Sequence, residues 1–499
     1  MHTIHSHDVH NLSSFRRVVI LLAAAWLFVG LAVPARADDL QQEAAELRTK
    51  YAAALEKLAV WCEGQGLAAE AKKSRAALGP HDPYKLYLPV LPREIGPPPL
   101  PENTPPAVAQ WQEKFDKLRH EQAAALYELA RRAIRQRQGS LAYALVLEVI
   151  RDDPDHEGVR RLFGYQKYRG GWYTPYEAKK LRSGQVWDER FGWLPKAYVA
   201  RYQQGQRLSG SRWISAEEDA RLHRDIHSGW EVESEHYSIR TNHSIEAAVA
   251  LGVKLENLYR LWQQIFIRYY ATEAYVASLF SGHPQQTHGP EGHRFKVVYF
   301  RDRNDYNRAL QAEMPNVGIS IGIYMSRHHT AYFFAGEGSD QRTLYHEATH
   351  QLFSQSRRVV QSPGDKANFW IIEGIAMYME SLHEEDGYFV LGGLDDARMN
   401  AARYHLMKED FYIPFAQLVG LNGQQFQDDP KIATIYSQSA AMANFLVYYD
   451  GGCYRDALVS YLNDVYNGHD DAGTLTRLTG SSYAELDKQY RAFMKVDRP

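Results

Sequence analysis

Ten prolines between Pro80 and Pro106, including the run GPPPLPENTPP, constrain the fold of this chain most strongly. Proline lacks a backbone N–H and restricts the residue before it, so a helix cannot continue through this segment. We therefore predict an extended or irregular linker over residues 80–106. It separates a short N-terminal part from most of the 499-residue chain, which is too long for one compact core.

Both flanks of the linker have the composition of helices. Residues 38–79 are rich in Ala, Leu, Glu and Lys, with apolar residues at helical spacing. Residues 107–164 predict paired antiparallel helices that resemble a tetratricopeptide-type hairpin, although one unit is too few for a repeat array. We interpret this N-terminal helical region as a spacer or as a docking surface for a protein partner.

The first residues have the features of an export signal. Two arginines precede the apolar run VVILLAAAWLFVGLAV, and ARA at residues 35–37 supplies the small residues of a cleavage site. We predict a signal peptide over residues 1–37 and a secreted or periplasmic bacterial protein with no membrane span after cleavage. The alternative is a membrane anchor formed by residues 18–33. A net charge of -3 gives no electrostatic reason to expect nucleic acid as a partner.

A weak internal repeat lies within residues 165–229. The segments GGWYTPYEAKKL and GSRWISAEEDARL align Trp172 with Trp213. Each tryptophan is followed at the same offset by a hydroxyl residue and then by a glutamate, which is typical of a capped helix. We predict two small modules, each anchored by its buried tryptophan. Carbohydrate binding by these two tryptophans is the alternative.

Residues 230–499 predict an α+β domain. WEVESEHYSIRTN alternates like a strand, a long helix follows, FKVVYF is typical of a buried strand, and GISIGIYM and TAYFF predict two more. Beyond them the pattern is mostly helical to the C-terminus. A mixed sheet followed by a helical lobe is compatible with a single enzyme domain.

The segment TLYHEATHQLF, residues 343–353, begins this helical part. On a helix, His346 and His350 project from one face and can each place a ring nitrogen on one metal ion. Glu347 lies one residue along, where its carboxylate can reach a water on the ion without being a ligand. The chain has only two cysteines, so further ligands must be histidines or carboxylates, and NFWIIEGIAMYMESL offers Glu373.

Residues 370–380 reproduce the pattern W-x-x-E-G-x-A-x-Y-x-E. This segment resembles the gluzincin zinc metallopeptidases, particularly the aminopeptidase and leukotriene-hydrolase type. The resemblance implies a zincin-like fold, a Zn²⁺ cofactor and Glu373 as the third zinc ligand. We expect Gly374 and Ala376 to let this helix approach the histidine helix closely. Glu380 lies seven residues after Glu373, on the same face, and could support the site from behind the ligands.

A third segment, IYSQSAAMANFLVYY, resembles the gluzincin segment whose tyrosine stabilises the tetrahedral intermediate. The resemblance implies this role for Tyr436. Tyr378 follows Glu373 by five residues, so it is turned about 140° from the ligand face and is expected to pack. The G-x-M-E-N motif of the aminopeptidase group is absent. Overall, residues 230–499 are more similar to an uncharacterised set of secreted bacterial metallopeptidases of gluzincin type.

These patterns predict a zinc metallopeptidase that hydrolyses peptide bonds with a zinc-bound water and with Glu347 as general base. We expect the strand at Gly322, Ile323 and Tyr324 to pair with an extended peptide or protein substrate. Two alternatives stay open: a catalytically inactive binding or scaffold protein of the same fold, and a zinc hydrolase with a non-peptide substrate. The sequence leaves open whether its two cysteines pair.

Overall fold

The computed structural model describes residues 35–96, 101, 103–280 and 294–496, and it has the predicted α+β composition. Most of the predicted signal peptide, residues 1–34, lies outside the described residues. Within them, no helix is both long and apolar enough to cross a membrane. The N-terminal elements are α1 (Ala35–Gly64), α2 (Ala68–Ala76), β1 (Lys85–Pro89), α3 (Pro106–Arg135), α4 (Gly139–Asp152) and α5 (Glu157–Leu162).

Residues 165–229 form three small units, each consisting of a two-stranded hairpin followed by a helix. The first and third units are the predicted modules, whose helices are capped by Thr174 and Ser215. The internal repeat in the sequence did not reveal the middle unit, because Pro195 occupies the helix-cap position at which the other two units have a hydroxyl residue. The elements are β2 (Gln166–Tyr168), β3 (Gly171–Tyr173), α6 (Pro175–Arg182), β4 (Gln185–Asp188), β5 (Gly192–Pro195), α7 (Val199–Gln203), β6 (Gln206–Ser209), β7 (Arg212–Ser215) and α8 (Ala216–Leu222).

The two aligned tryptophans anchor their units. Trp172 is buried and donates a hydrogen bond from Nε1 to Asp155. Trp213 is half-buried and packs edge-to-face against Tyr198 and Tyr202. Both rings therefore pack within their units, as expected if these tryptophans are structural anchors.

A five-stranded mixed sheet follows, with the order β11-β12-β10-β9-β8. The three inner strands are parallel, and each edge strand is antiparallel to its neighbour. The segment expected as one strand, WEVESEHYSIRTN, is a hairpin of two strands. The elements are β8 (Trp230–Glu233), β9 (Tyr237–Thr241), α9 (Ile245–Ile265), α10 (Ile267–Tyr270), α11 (Glu273–Phe280), β10 (Phe295–Phe300), α12 (Arg303–Leu310), β11 (Ile323–Met325) and β12 (Thr330–Phe334).

The helical lobe contains α14, which is buried on all sides, and α18, which is largely buried. Helices that are apolar all round are those found in the centre of a core. The elements are α13 (Gln341–Gln355), α14 (Phe369–Met379), β13 (His383–Glu385), β14 (Tyr388–Gly392), α15 (Ala397–Lys408), α16 (Phe415–Leu418), α17 (Gly423–Gln427), α18 (Ile432–Tyr448), α19 (Arg455–Asn467), α20 (Thr474–Thr479) and α21 (Tyr483–Met494).

Part of the proline-rich segment belongs to this lobe. Strand β1 pairs antiparallel with β14 in the order β1-β14-β13, and Lys85 Nζ donates to Asp395 at 3.0 Å. Pro89 lies at the end of this edge strand, where a missing N–H is tolerated. Residues 85–89 of the segment expected as a linker are therefore extended, as predicted, but they also complete a second sheet.

Candidate metal centre

Helix α13 presents two histidines on one face. His346 and His350 retain only 14% and 15% of their side-chain exposure, because α14 packs against this face. The spacing of four residues places the two rings one above the other, as expected for a helix. The side chains that pack α13 into the core are Leu344, Leu352 and Phe353.

His346, His350 and Glu373 bring three ligand atoms together. The Nε2 atoms of the two histidines lie 3.1 Å apart. Glu373 Oε2 lies 3.3 Å from Nε2 of His346, and its Oε1 lies 3.7 Å from Nε2 of His350. In a tetrahedral zinc site with bonds of about 2.05 Å, neighbouring donor atoms lie about 3.3 to 3.4 Å apart. The donor set and its spacing fit a divalent metal ion, and this group can hold one.

Glu380 lies behind the first histidine. Its Oε1 accepts a hydrogen bond from Nδ1 of His346 at 2.9 Å, which leaves Nε2 facing Glu373. A carboxylate in this position fixes the orientation and tautomer of a metal-binding imidazole. The structure therefore places Glu380 where the sequence analysis put it, and its side chain is only 4% exposed.

Glu380 is itself held by two arginines that the sequence analysis missed. Arg398 donates two hydrogen bonds of 3.0 Å to the Glu380 carboxylate, one from Nε and one from an Nη. Arg342 reaches the same carboxylate at 3.4 Å and pairs with Asp396 at 2.9 Å. Asp396 also caps α15, the helix that carries Arg398. Three ion pairs and the hydrogen bond from the backbone N–H of Arg398 to Asp396 connect these four residues in a ring, which we call the arginine ring.

The metal-free site holds a proton between its histidines and carboxylates. Burial opposes a charge on His346, but hydrogen bonds to Glu373 and Glu380 outweigh it and raise the pKa of His346 to about 10. Burial lowers the pKa of His350 to about 4. Burial also acts against a charge on Glu373, yet the two histidines keep the pKa of its carboxyl below the usual value. A metal ion would take the place of the proton on His346.

Glu347 lies beside the three ligand residues without joining them. Burial raises the pKa of Glu347 to about 7. Its Oε2 accepts a hydrogen bond of 2.8 Å from the backbone N–H of Tyr324, in edge strand β11. Helix α13 and strand β11 are therefore tied together at the residue expected to act as a base.

The three residues expected to bind substrate lie at this edge. Ile323 and Tyr324 belong to β11, and Gly322 directly precedes it. A Cβ at Gly322 would lie 3.0 Å from the Phe333 ring and 3.1 Å from Thr343, so the glycine lets the strand lie close to both. β11 pairs with β12 on one side and is the last strand of the sheet on the other.

Tyr436, on α18, lies close enough to Glu373 and Glu347 for their charges to act on its phenol. Burial raises the pKa of its phenol well above the usual value, and the charges of Glu373 and Glu347 act in the same direction. The phenol stays protonated at neutral pH and is available as a donor. Its oxygen accepts a hydrogen bond of 3.0 Å from Gln427 Nε2.

The structure corrects the role expected for Gly374. A Cβ at this position would lie 2.8 Å from the carbonyl oxygen of Ser439 and 3.5 Å from Ala443 Cβ, and both residues belong to α18. Gly374 therefore sets the spacing between the helix of Glu373 and the helix of Tyr436, not the spacing to the histidine helix. Tyr378 is buried and shares a hydrogen bond of 2.9 Å with Tyr448, which confirms that it packs.

Comparison with known proteins leaves the function open. A family described as "Protein of unknown function (DUF1570)" matches residues 340–467. This range includes the three ligand residues, Glu347 and Tyr436. None of the curated proteins matches this chain. The matched segment begins at the cap of α13 and ends with α19.

Proposed function

We propose that this protein is an exported zinc-dependent metallopeptidase with a zincin-like domain of gluzincin type. The observation that carries the proposal is the arrangement of His346, His350 and Glu373 as one ligand group, with Glu347 adjacent but outside it. A purely structural zinc site is usually closed by four protein ligands. Three ligands with a buried carboxylate beside them are typical of a catalytic site instead.

His346, His350 and Glu373 would hold the zinc ion, which would supply Lewis acidity and bring the pKa of a bound water near 7. Glu347 is placed to accept a proton at its carboxylate and to return it to the leaving amine. Its raised pKa in the metal-free protein comes mainly from burial, and a nearby dication would lower that pKa again. The hydrogen bond from Tyr324 N–H keeps one oxygen of Glu347 fixed, so the other is the one that can move a proton.

Tyr436 and β11 supply the remaining functions. The phenol of Tyr436 would donate to the oxyanion that forms on the substrate carbonyl, the kind of interaction that often contributes most to catalysis. The free side of β11 would pair with the backbone of an extended peptide, which fits a peptide or protein substrate. We propose that α3 and α4 act as a spacer or as a docking surface for a protein partner.

Turnover of a mixed peptide library, followed by mass spectrometry, tests this function. The zinc-loaded chain should cleave library peptides, and Glu347→Gln should keep its zinc and lose about a hundredfold to ten-thousandfold in rate. Asp152→Asn is a matched control, because Asp152 is also a buried carboxylate but pairs with Arg151 in the N-terminal helical region. A zinc-loaded chain that cleaves no peptide would overturn the proposal.

The same samples distinguish the alternatives. Binding of peptides without cleavage would favour the scaffold protein, and turnover of esters or amides other than peptides would favour the non-peptide hydrolase.

Sequencing the amino terminus of exported protein tests the signal peptide. It should begin near Asp38, and a protein that retains residues 1–37 would support the anchor.

A further inference from the structure

A cleft separate from the metal centre lies between α9, edge strand β8 and the first two hairpin units. Its volume of about 640 Å³ falls within the range of ligand-binding pockets. We call it the tryptophan cleft. It lies at the edge of the sheet opposite β11, and at about 4.8 Å per strand the two edges are roughly 19 Å apart. Its aromatic lining residues are Tyr176, Trp187, Phe191, Trp193, Tyr202 and Trp230.

The tryptophans of this cleft differ from the other tryptophans of the hairpin units. Trp172 is covered by the cations of Arg160 and Lys167, and Trp213 is covered by Arg201. Within the described part of the chain, no lysine or arginine lies over Trp187, Trp193 or Trp230. Trp230 is stacked against the ring of His223, whereas Trp187 and Trp193 pack edge-to-face on each other. The negative face of an indole attracts a cation, so Trp187 and Trp193 offer a site that no lysine or arginine among the described residues fills.

The charges around the cleft also favour a cation. Carboxylates outnumber basic side chains in its lining by two to one. The acidic residues are Glu177, Glu189, Glu231, Glu233, Glu235 and Glu256, and the basic residues are Arg93, Lys180 and Arg260.

Much of the positive charge in the lining is already paired. Arg93 forms an ion pair of 2.7 Å with Glu177, and Arg260 lies 3.9 Å from the same carboxylate. Glu189 is exposed and has no ion pair among the described residues. Glu235 accepts a hydrogen bond from Thr174 Oγ1 and has no basic side chain paired with it within the described ranges. Glu231 and Glu233 are paired with Arg240 and Arg294, which lie outside the lining. The carboxylates that remain available to a ligand are therefore those of Glu189 and Glu235.

Strand β8 adds backbone groups along one wall. Ser234 N–H bonds to the Tyr237 carbonyl at the turn, and Val232 lies opposite Ile239 in the ladder. In an antiparallel pair, hydrogen-bonded residues alternate along the strand, so the backbone groups of Glu231 and Glu233 point away from β9. β8 is the last strand of the sheet on this side, and an extended chain can add to such an edge.

We propose that the tryptophan cleft binds a lysine or arginine side chain of an extended polypeptide, whose backbone pairs with β8. Aromatic faces and unpaired carboxylates would hold the cation, and the strand edge selects a polypeptide over a free amine. The site does not depend on the metal centre or on its activity. It would bind a polypeptide as a partner or hold a substrate away from the site of cleavage.

Titration calorimetry of the full chain in EDTA tests this proposal, because no cleavage can then contribute heat. The probe is a capped peptide of alternating valine and lysine, compared with the same peptide carrying acetylated lysines. Trp193→Ala should weaken binding by about threefold to thirtyfold, the range for one cation–π contact. Glu189→Gln and Glu235→Gln preserve side-chain shape and should also weaken it. Trp213→Ala is the matched control and should bind as the native chain does.

Four outcomes would overturn the proposal. These are equal affinity for the acetylated peptide, no detectable binding of either peptide, equal losses in Trp193→Ala and Trp213→Ala, and displacement of the peptide by a neutral oligosaccharide of glucose. Binding of butylammonium as tightly as the peptide would also contradict the role of β8. If Trp193→Ala fails to fold, the two glutamine variants decide, since native affinity in both would remove the carboxylates from the site.

Discussion

The polar side chains around the metal centre and around the tryptophan cleft are partnered to different degrees. Beside β11, the buried carboxylate of Glu380 is fixed by His346, Arg398 and Arg342. Beside β8, Arg260 Nε and Tyr176 Oη are buried with no hydrogen-bond partner among the described residues. Buried polar groups normally have partners, so a closed network holds a geometry and an open one leaves room for a ligand. The first arrangement fits a metal ion, and the second is where we propose that a polypeptide binds.

After the loss of the Glu347 carboxylate, the largest effect on the β11 side should come from Tyr436→Phe. Loss of one donor to a developing oxyanion typically lowers kcat by about a hundredfold to a thousandfold, with a smaller change in KM. Peptide turnover at measured zinc content checks this. Tyr378→Phe is the matched control, because its hydroxyl bonds only to Tyr448 and should not affect kcat. A native rate for Tyr436→Phe would remove this residue from the mechanism.

Opening the arginine ring should weaken metal binding. Arg398→Ala removes the two hydrogen bonds that Arg398 donates to Glu380, so zinc affinity should fall about tenfold to a hundredfold, the usual effect of losing support behind a ligand. Arg398→Lys should recover only part of the affinity, because lysine cannot donate bidentately. Competition with a zinc-binding dye measures the change. Arg403→Ala, on the same helix, should bind zinc normally, and equal losses in both variants would contradict the ring's role.

Gly374→Ala should destabilise the packing of α14 on α18. A Cβ only 2.8 Å from the Ser439 carbonyl forces the backbone to move, at a cost of about 1 to 3 kcal/mol in the free energy of unfolding. Urea denaturation checks this. Gly318→Ala serves as the control, since a Cβ there meets no atom within 4 Å. Native stability of the Gly374 variant would mean that the two helices can separate without loss.

Zinc affinity should rise with pH by more than tenfold per unit between pH 7 and 9. In the metal-free protein the pKa of His346 is raised to about 10, so at pH 8 the ring must lose a proton before zinc binds, and a zinc-bound water of pKa near 7 would release a second. Calorimetry in two buffers of different ionisation enthalpy should record release of about two protons per zinc at that pH. Release of one proton or fewer would contradict the pairing of His346 with Glu373 and Glu380.

Local patterns allowed the ligand residues to be predicted, because helical spacing determines which side chains share a face. His346 and His350 lie on one turn of α13. Glu373 was expected as the third ligand because residues 370–380 resemble the corresponding segment of a known family. The arginine ring could not be predicted in this way, since Arg342, Glu380 and Arg398 come from three elements separated by loops. No spacing rule connects them.

Long-range packing explains the other differences from the sequence analysis. Strand β1 pairs with β14 some 300 residues later in the chain, a contact that proline content alone argued against. The Gly374 correction has the same cause, because a small residue indicates close approach but not which helix approaches. The middle hairpin unit was missed because its cap is a proline.

Metal analysis of purified protein tests the central claim most directly. The native chain and Glu347→Gln should each bind one zinc ion, whereas His346→Ala, His350→Ala and Glu373→Ala should each lose it, because each removes one of the three side chains proposed as ligands. Native zinc content in the Glu373 variant would contradict the account, and loss of zinc in Glu347→Gln would show that this residue is a ligand and not the base.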